Sequence, residues 1–384
     1  PEIKKPYISN STWQLIQDRN LAWNTAHTNK QMKTMNHKIS NEAKKDKKNH
    51  TIEKFNENPA DKNKKNLWRA VKDMKRKYTP SYIKMKNKDG IHVPLNKRAE
   101  AIADYLEKEH WTNDENGDMP NNQHIGNSNI HCDDQPFVIE ELNEAIKLSK
   151  NNKQPGPDNI TMELLKWLDH DNRNLLLTLF NKWWIHQNAP PEVFLARVVP
   201  IFKKGDTDNA SNYRPISLLS SFYKLYMILI RFRMQKAVEH ALCETQYGFR
   251  QGKSTSHAIY LIRRIQDYAE LKGSELSMAL LDWEKAFDKV QHDRLYIAME
   301  KIGLSRKIVD VIKNCYSSPT FYVQDDFGKS DIKTQKSGIR QGCPLSPYLF
   351  IIVMTCIDED IKSLSSPLIE EHRIPGIEFD MVYY

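Results

Sequence analysis

The chain has 384 residues, with 57 Lys+Arg against 49 Asp+Glu, a formal net charge of +8, and 39% hydrophobic residues of which the aromatics are a good part. That length and composition exclude a wholly disordered chain and allow two or three compact units with real cores. The longest apolar run, Pro347 to Ile357, is core-sized and well short of the roughly 18 to 20 residues that cross a bilayer. Five cysteines are scattered with no C-x-x-C pair, which argues against a disulfide framework or structural zinc and fits a reducing, intracellular compartment.

Taken in chain order, the charge is uneven. Pro1 to His110 holds 25 Lys+Arg and 13 Asp+Glu, a net of +12, which leaves −4 for the remaining residues. Clusters such as Lys44-Lys45-Asp46-Lys47-Lys48 suit either a solvated helical face or a polyanion. Thr12 to Glu57 carries apolar positions at helical spacing (Trp13, Ile16, Trp23, Met35, Ile39) and predicts one or two long helices. Asn66 to Lys77 and Ala99 to His110 predict two more. Between them Ile83 to Val93 predicts a hairpin turning at Asp89-Gly90. Trp111 to Gln135, rich in Asn, Asp and Gly, reads as a linker.

From Pro136 helices are expected at Glu140–Ser149, Met162–Leu168, Asn174–Gln187, Ser221–Leu242 and Ser256–Ala269. Short apolar strands are expected at Phe194–Phe202, Ser277–Leu281 and Phe321–Gln324. The spacing lacks the rhythm of a doubly wound sheet, so the fold class is α+β.

Three segments carry chemistry. Val198 to Leu218 reads as a hairpin bearing Lys203, Lys204 and Arg214, cations suited to gripping a triphosphate. The run SMALLDWEKAFDKV ends an apolar strand in Asp282, a hard oxygen ligand of the kind Mg²⁺ prefers; an aspartate at a strand end also serves as an ordinary helix cap. Asp288, six residues on, faces away on a helix and reads as structural. In GIRQGCPLSPYLF the glycines flanking Arg340-Gln341 let backbone approach a ligand closely.

These segments occur together and in the order of one family. From about Phe137 onward the chain resembles the reverse transcriptases of non-LTR (LINE-type) retrotransposons, through NNKQPGPDNITMELLK, PIFKKGD followed by NYRPISLLS, QYGFRQGKSTSHAI, LLDWEKAFDKV and GIRQGCPLSPYLF. The resemblance implies a right-hand polymerase: fingers over residues 137–275 and a partial palm over 276–384, with the thumb missing. They would follow a basic, mainly helical extension (1–110) and a polar linker (111–136). It implies RNA-directed DNA synthesis from an RNA template, a DNA primer and dNTP, by in-line attack of the primer 3′-OH with two Mg²⁺ ions. Asp282, with the main-chain carbonyl of Trp283, would bind the metal. Lys203 and Arg214 would hold the triphosphate, Phe287 would exclude a 2′-OH, and Gln341 and Gly342 would line the nucleotide. Arg250 and Lys253 would meet template phosphates.

The family's aromatic–x–Asp–Asp motif is expected just beyond Tyr384, after the strand-like Ile377–Tyr384, so that the stretch by itself is expected not to polymerise. Asp133-Asp134 and Asp325-Asp326 are expected to be exposed turn residues and no substitute. Two other functions compete. A P-loop is weakly suggested by Gly248 to Ser254, which has three residues between its glycines where four are needed. A non-catalytic nucleic-acid binder agrees with the basic surface.

Overall fold

A computed structural model describes residues 7–23, 29–56, 84–113 and 130–371. The expected helix at Asn66–Lys77, much of the linker and the stretch Ile377–Tyr384 lie outside the described residues. The chain forms two compact units, Pro1–Tyr82 and Ile83–Tyr384. Residues 83–110, grouped by charge with the basic extension, thus pack inside the second unit.

The first unit holds two helices, α1 (Asn10–Trp23) and α2 (Asn29–Asn56), packed on each other. Ser9 sets the start of α1: its Oγ accepts from the Thr12 amide, and both its amide and its hydroxyl donate to Asp46 Oδ2 of α2, at 2.9 and 2.7 Å. One N-terminal residue therefore satisfies an orphan amide and staples the helices together. Lys44, Lys45, Lys47 and Lys48 of α2 are solvent-accessible.

The second unit opens with the expected hairpin. Strands β1 (Met85–Lys86) and β2 (His92–Val93) pair antiparallel, and Gly90 takes the left-handed conformation that the turn needs. Helix α3 (Arg98–Tyr105) continues through a π turn at Leu106–His110 and buries Ala99, Ile102, Ala103 and Leu106. Next come α4 (Ile139–Leu148), α5 (Met162–Lys166) and α6 (His170–His186). They lead to β3 (Ala196–Phe202) and β4 (Tyr213–Leu218), an antiparallel pair in register from Arg197↔Leu218 to Phe202↔Tyr213.

Helix α7 (Ser221–Val238), capped by Ser220, buries twelve of its eighteen residues, among them Arg233, which is paired with Glu141. It is followed by α8 (Thr255–Lys272), α9 (His292–Lys301) and α10 (Arg306–Ser317). Strand β5 (Thr320–Val323) lies parallel to β3, and β6 (Lys333–Thr334) closes a four-stranded sheet of order β4-β3-β5-β6. Helix α11 (Ser346–Glu371) comes last. One core runs through the unit, with Trp111, Phe180, Trp184, Tyr226 and Phe321 among its largest members.

The mixture of helices with a small sheet agrees with the α+β expectation. Among the described residues no helix is long and apolar enough to cross a membrane. Four of the five cysteines are buried, and burial pushes the thiols of Cys315 and Cys356 up to about 12, which keeps them protonated and inert.

One predicted element is corrected. Ser277–Leu281 is irregular and exposed, with Leu280 and Leu281 at 84% and 79% of full exposure. A run apolar on both faces is the pattern of a strand covered on both sides. Among the described residues no strand pairs with it, so the ladder hydrogen bonds that would make it a strand are unmade.

Candidate active site

The motif residues converge from three directions. After Asp282 the chain turns tightly through Lys285, at φ 54°, whose carbonyl accepts from the amide of Asp288 at 2.9 Å. That turn delivers Phe287 onto Phe350 of α11, the rings stacked at 5.0 Å and 15°. Phe249, from the QYGFRQG turn, meets the same ring edge-on at 5.9 Å. Three of the five motifs, far apart in sequence, therefore meet at one half-buried phenylalanine.

The turn that follows β6 is bound on both sides. On one side Gly338 and Ile339 donate their amides to the carbonyls of Val290 and Phe287, at 2.7 and 2.8 Å. On the other the Gln341 carbonyl accepts from the Ser217 amide of β4 at 2.9 Å. Gly342 sits at φ 124°, and a Cβ there would lie 2.5 Å from the Ser217 carbonyl oxygen. Only glycine can bring this turn so close to the sheet edge. Gln341 stays half-buried and Gly342 exposed, so the turn lines an open surface.

Beneath it lies a polar group that sequence reasoning set aside. The carboxylate of Asp288 is buried. Its Oδ1 accepts from Trp111 Nε1 at 3.0 Å, its Oδ2 accepts from Gln341 Nε2 at 2.6 Å, and His110 Nε2 stands 3.3 Å from Oδ2. Trp111 and His110 come from the end of the π turn after α3, which nothing in their spacing connects with Gln341. Arg340, next along, is 1% exposed, and its guanidinium lies 5.7 Å from the centre of the Tyr223 ring.

The hairpin cations stand apart. Ile201 and Arg214 are partners across β3 and β4, and Lys203 is two residues beyond Ile201, so the two cations share one face. Both are exposed, and neither forms an ion pair among the described residues. The loop between them is anchored: Lys86 donates its amide to the Asp208 carbonyl at 2.8 Å, and its ammonium pairs with Asp208 Oδ2 at 2.8 Å. The pair raises the lysine above its ordinary value and lowers the aspartate below its own.

Asp282 is exposed in the irregular stretch, as is Trp283. Among the described residues no group of three or more His, Cys, Asp and Glu could hold a metal ion. Asp282 and the Trp283 carbonyl are hard oxygens, right in kind for Mg²⁺ and too few to fix even one ion firmly. Of the two Asp-Asp pairs, Asp133 and Asp326 are exposed as expected, while Asp134 and Asp325 are drawn into contacts of their own. Asp325 is not exposed: it pairs with Arg98 in a buried ion pair and caps the Phe327 and Gly328 amides. Asp134 accepts from Ser305 Oγ at 2.8 Å.

Arg250 also turns inward. Its guanidinium binds Glu239 at 2.7 Å and the Cys243 carbonyl at 2.7 Å, tying the QYGFRQG turn to the end of α7. Lys253 lies over the Tyr247 ring and donates to the Glu244 carbonyl. The turn is not preceded by a strand, so a P-loop does not form there.

Residues 201–371 match the family described as reverse transcriptase (RNA-dependent DNA polymerase). Residues 201–371 carry a reverse transcriptase domain. Proteins similar to this chain come from mobile elements. It is 30% identical over 223 residues to the Transposon TX1 uncharacterized 149 kDa protein of Xenopus laevis, covering 57% of this chain and 17% of that protein. It is 30% identical over 221 residues to the probable RNA-directed DNA polymerase from transposon BS of Drosophila melanogaster, covering 57% and 24%. It is 29% identical over 252 residues to the retrovirus-related Pol polyprotein from type-1 retrotransposable element R2 of Popillia japonica, covering 64% and 34%. The match thus spans between about a sixth and a third of each of these relatives' own lengths.

Proposed function

We propose that the chain forms the nucleotide- and template-handling part of an RNA-directed DNA polymerase of a non-LTR retrotransposon. The observation that carries this reading is the meeting of Phe249, Phe287 and Phe350 beside the Gln341-Gly342 turn. In this reading Lys203 and Arg214 grip the triphosphate of an incoming dNTP, as paired exposed cations on a stiff hairpin are suited to do. The face of Phe287, fixed by its two aromatic neighbours, sits under the sugar and excludes a ribose hydroxyl. Gln341 and the bare backbone of Gly342 line the nucleotide and template. Lys253 and the lysines of α2 face phosphate, while Arg250 holds its turn in shape.

Asp282 and the Trp283 carbonyl are this stretch's share of a divalent-metal site, which in the family supplies activation of the attacking hydroxyl and charge neutralisation of the leaving group. With one exposed carboxylate the described residues fall short of such a site. The stretch by itself is therefore expected to bind substrates without joining them. Primer extension on poly(rA)/oligo(dT) with Mg²⁺ tests this, the expected result being no added nucleotides. Robust synthesis that Asp282→Ala abolishes would overturn it.

A second reading, a non-catalytic nucleic-acid binder, draws on the four accessible lysines of α2. It differs in needing no nucleotide: RNA affinity would then be unchanged by Phe287→Ala or Gln341→Ala, and no dNTP would bind.

A further inference from the structure

We propose that Asp288 is a positioning residue that decides which end of the Gln341 side-chain amide faces the bound nucleotide, a proposal that rests on the polymerase reading of this site. Each group in the network has a fixed role as donor or acceptor. An indole Nε1–H only donates, so Trp111 commits Oδ1 of Asp288 as an acceptor. A carboxylate only accepts, so Oδ2, 2.6 Å from Gln341, draws the NH₂ end of that amide inward. His110 Nε2 also stands 3.3 Å from the same Oδ2. Gln341 therefore turns its Oε1 away from the buried network, toward the open surface lined by Gly342. What faces the nucleotide is an acceptor, and it selects a hydrogen-bond donor: a sugar hydroxyl or a base N–H.

The burial makes this assignment stiff. Asp288 is 4% exposed and Trp111 2%, so no water competes for the carboxylate, and an unmade bond there leaves a buried polar group without a partner. The network also reaches across the fold: Trp111 is clamped edge-on against Phe321 of β5 at 4.8 Å. The orientation of one solvent-facing glutamine is thus set by residues from the end of the α3 helix, from the turn after Asp282, and from the sheet.

Asp288→Asn is the informative variant because it keeps the shape and changes the polarity. Trp111 still needs an acceptor, so the new amide must give it the oxygen and point its NH₂ at Gln341. Gln341 then has to turn over and present NH₂ to the nucleotide. Adding Gln341→Glu restores the original arrangement, since a carboxylate accepts from the amide introduced at position 288 and still shows an oxygen outward.

The experiment is equilibrium binding of dTTP to the 384-residue chain with poly(rA)/oligo(dT), run beside side-chain ¹H–¹⁵N spectra of the same proteins. We expect Asp288→Asn to weaken dTTP binding about tenfold, with the Trp111 indole resonance in place as a sign of intact folding. The Gln341 amide resonances should move, and the double variant should recover most of the affinity. Comparing dTTP with its 2′,3′-dideoxy analogue tells the two donors apart: a penalty for the analogue in the wild type that disappears in Asp288→Asn identifies the sugar hydroxyl, and equal binding of the two assigns the base. Unchanged affinity in Asp288→Asn, or a double variant weaker than the single one, would overturn the proposal. If the wild type binds no dTTP the polymerase reading fails instead. The spectra then decide alone, and Gln341 resonances indifferent to Asp288→Asn refute the positioning role.

Discussion

Gly342 illustrates how much of the site depends on single backbone positions. At φ 124°, with the Ser217 carbonyl 2.5 Å from where a Cβ would stand, it can be replaced only by moving the turn off β4. Gly342→Ala is expected to destabilise the unit by about 3 kcal/mol, measured by urea unfolding, and to displace Gln341 with it. His292 is a second residue whose surroundings decide its behaviour. Burial chiefly, and Arg340 nearby, lower its pKa, while its bond to the Gly338 carbonyl at 2.9 Å works the other way. Because the folded form resists protonation, the unfolded chain takes up the proton first. Stability should therefore fall as pH drops below about 6.5, the ordinary value, and continue to fall until the folded pKa is passed. In His292→Gln, which still donates and cannot protonate, the loss between about pH 6.5 and pH 5 should be smaller in thermal unfolding scans.

At the scale of elements, α3 is joined to the loop after β5 by the buried pair of Arg98 and Asp325, with side chains 4% and 9% exposed. Removing one partner leaves an uncompensated buried charge, so Arg98→Ala is expected to cost about 3 to 5 kcal/mol. The double variant Arg98→Ala/Asp325→Ala should cost clearly less than the two singles together, which a double-mutant cycle would show. This pair also marks where the sequence misleads. Asp325-Asp326 has the polarity of an exposed turn, and only the arrival of Arg98 from more than two hundred residues upstream buries Asp325.

Helices whose ends carry local signals were legible: Ser220 caps α7, and the glycine at 273 ends α8. Helix α10 went unread although Ser305 caps it and Ile308, Val309 and Ile312 form its buried stripe. Attention to caps would have found it. The stretch at Ser277–Leu281 has strand composition and lacks a strand's partner, and composition alone does not contain the pairing. That the segments of Phe249, Phe287 and Gln341 come together was legible through motif order. Asp288, Trp111 and His110 were not, because a buried network is assembled by tertiary contacts between segments with no common pattern.

The whole molecule divides its charge between its parts: +12 lies in the first 110 residues and −4 in the rest. RNA affinity is expected to fall linearly with salt on logarithmic axes. Replacing Lys44, Lys45, Lys47 and Lys48 by Gln should reduce that slope by about 0.7 for each lysine that meets a single-stranded phosphate, read by filter binding over a salt series. The fold puts the groups proposed to face the nucleotide on separate supports, a hairpin for Lys203 and Arg214 and a doubly tethered turn for Gln341. The polymerase reading requires both to act on one nucleotide. The most direct test is photo-crosslinking of radiolabelled dTTP to the 384-residue chain with poly(rA)/oligo(dT), with and without Lys203→Ala/Arg214→Ala. The expected result is labelling that needs the complementary template and falls by about tenfold or more in the double variant; labelling that ignores both template and substitutions would contradict it.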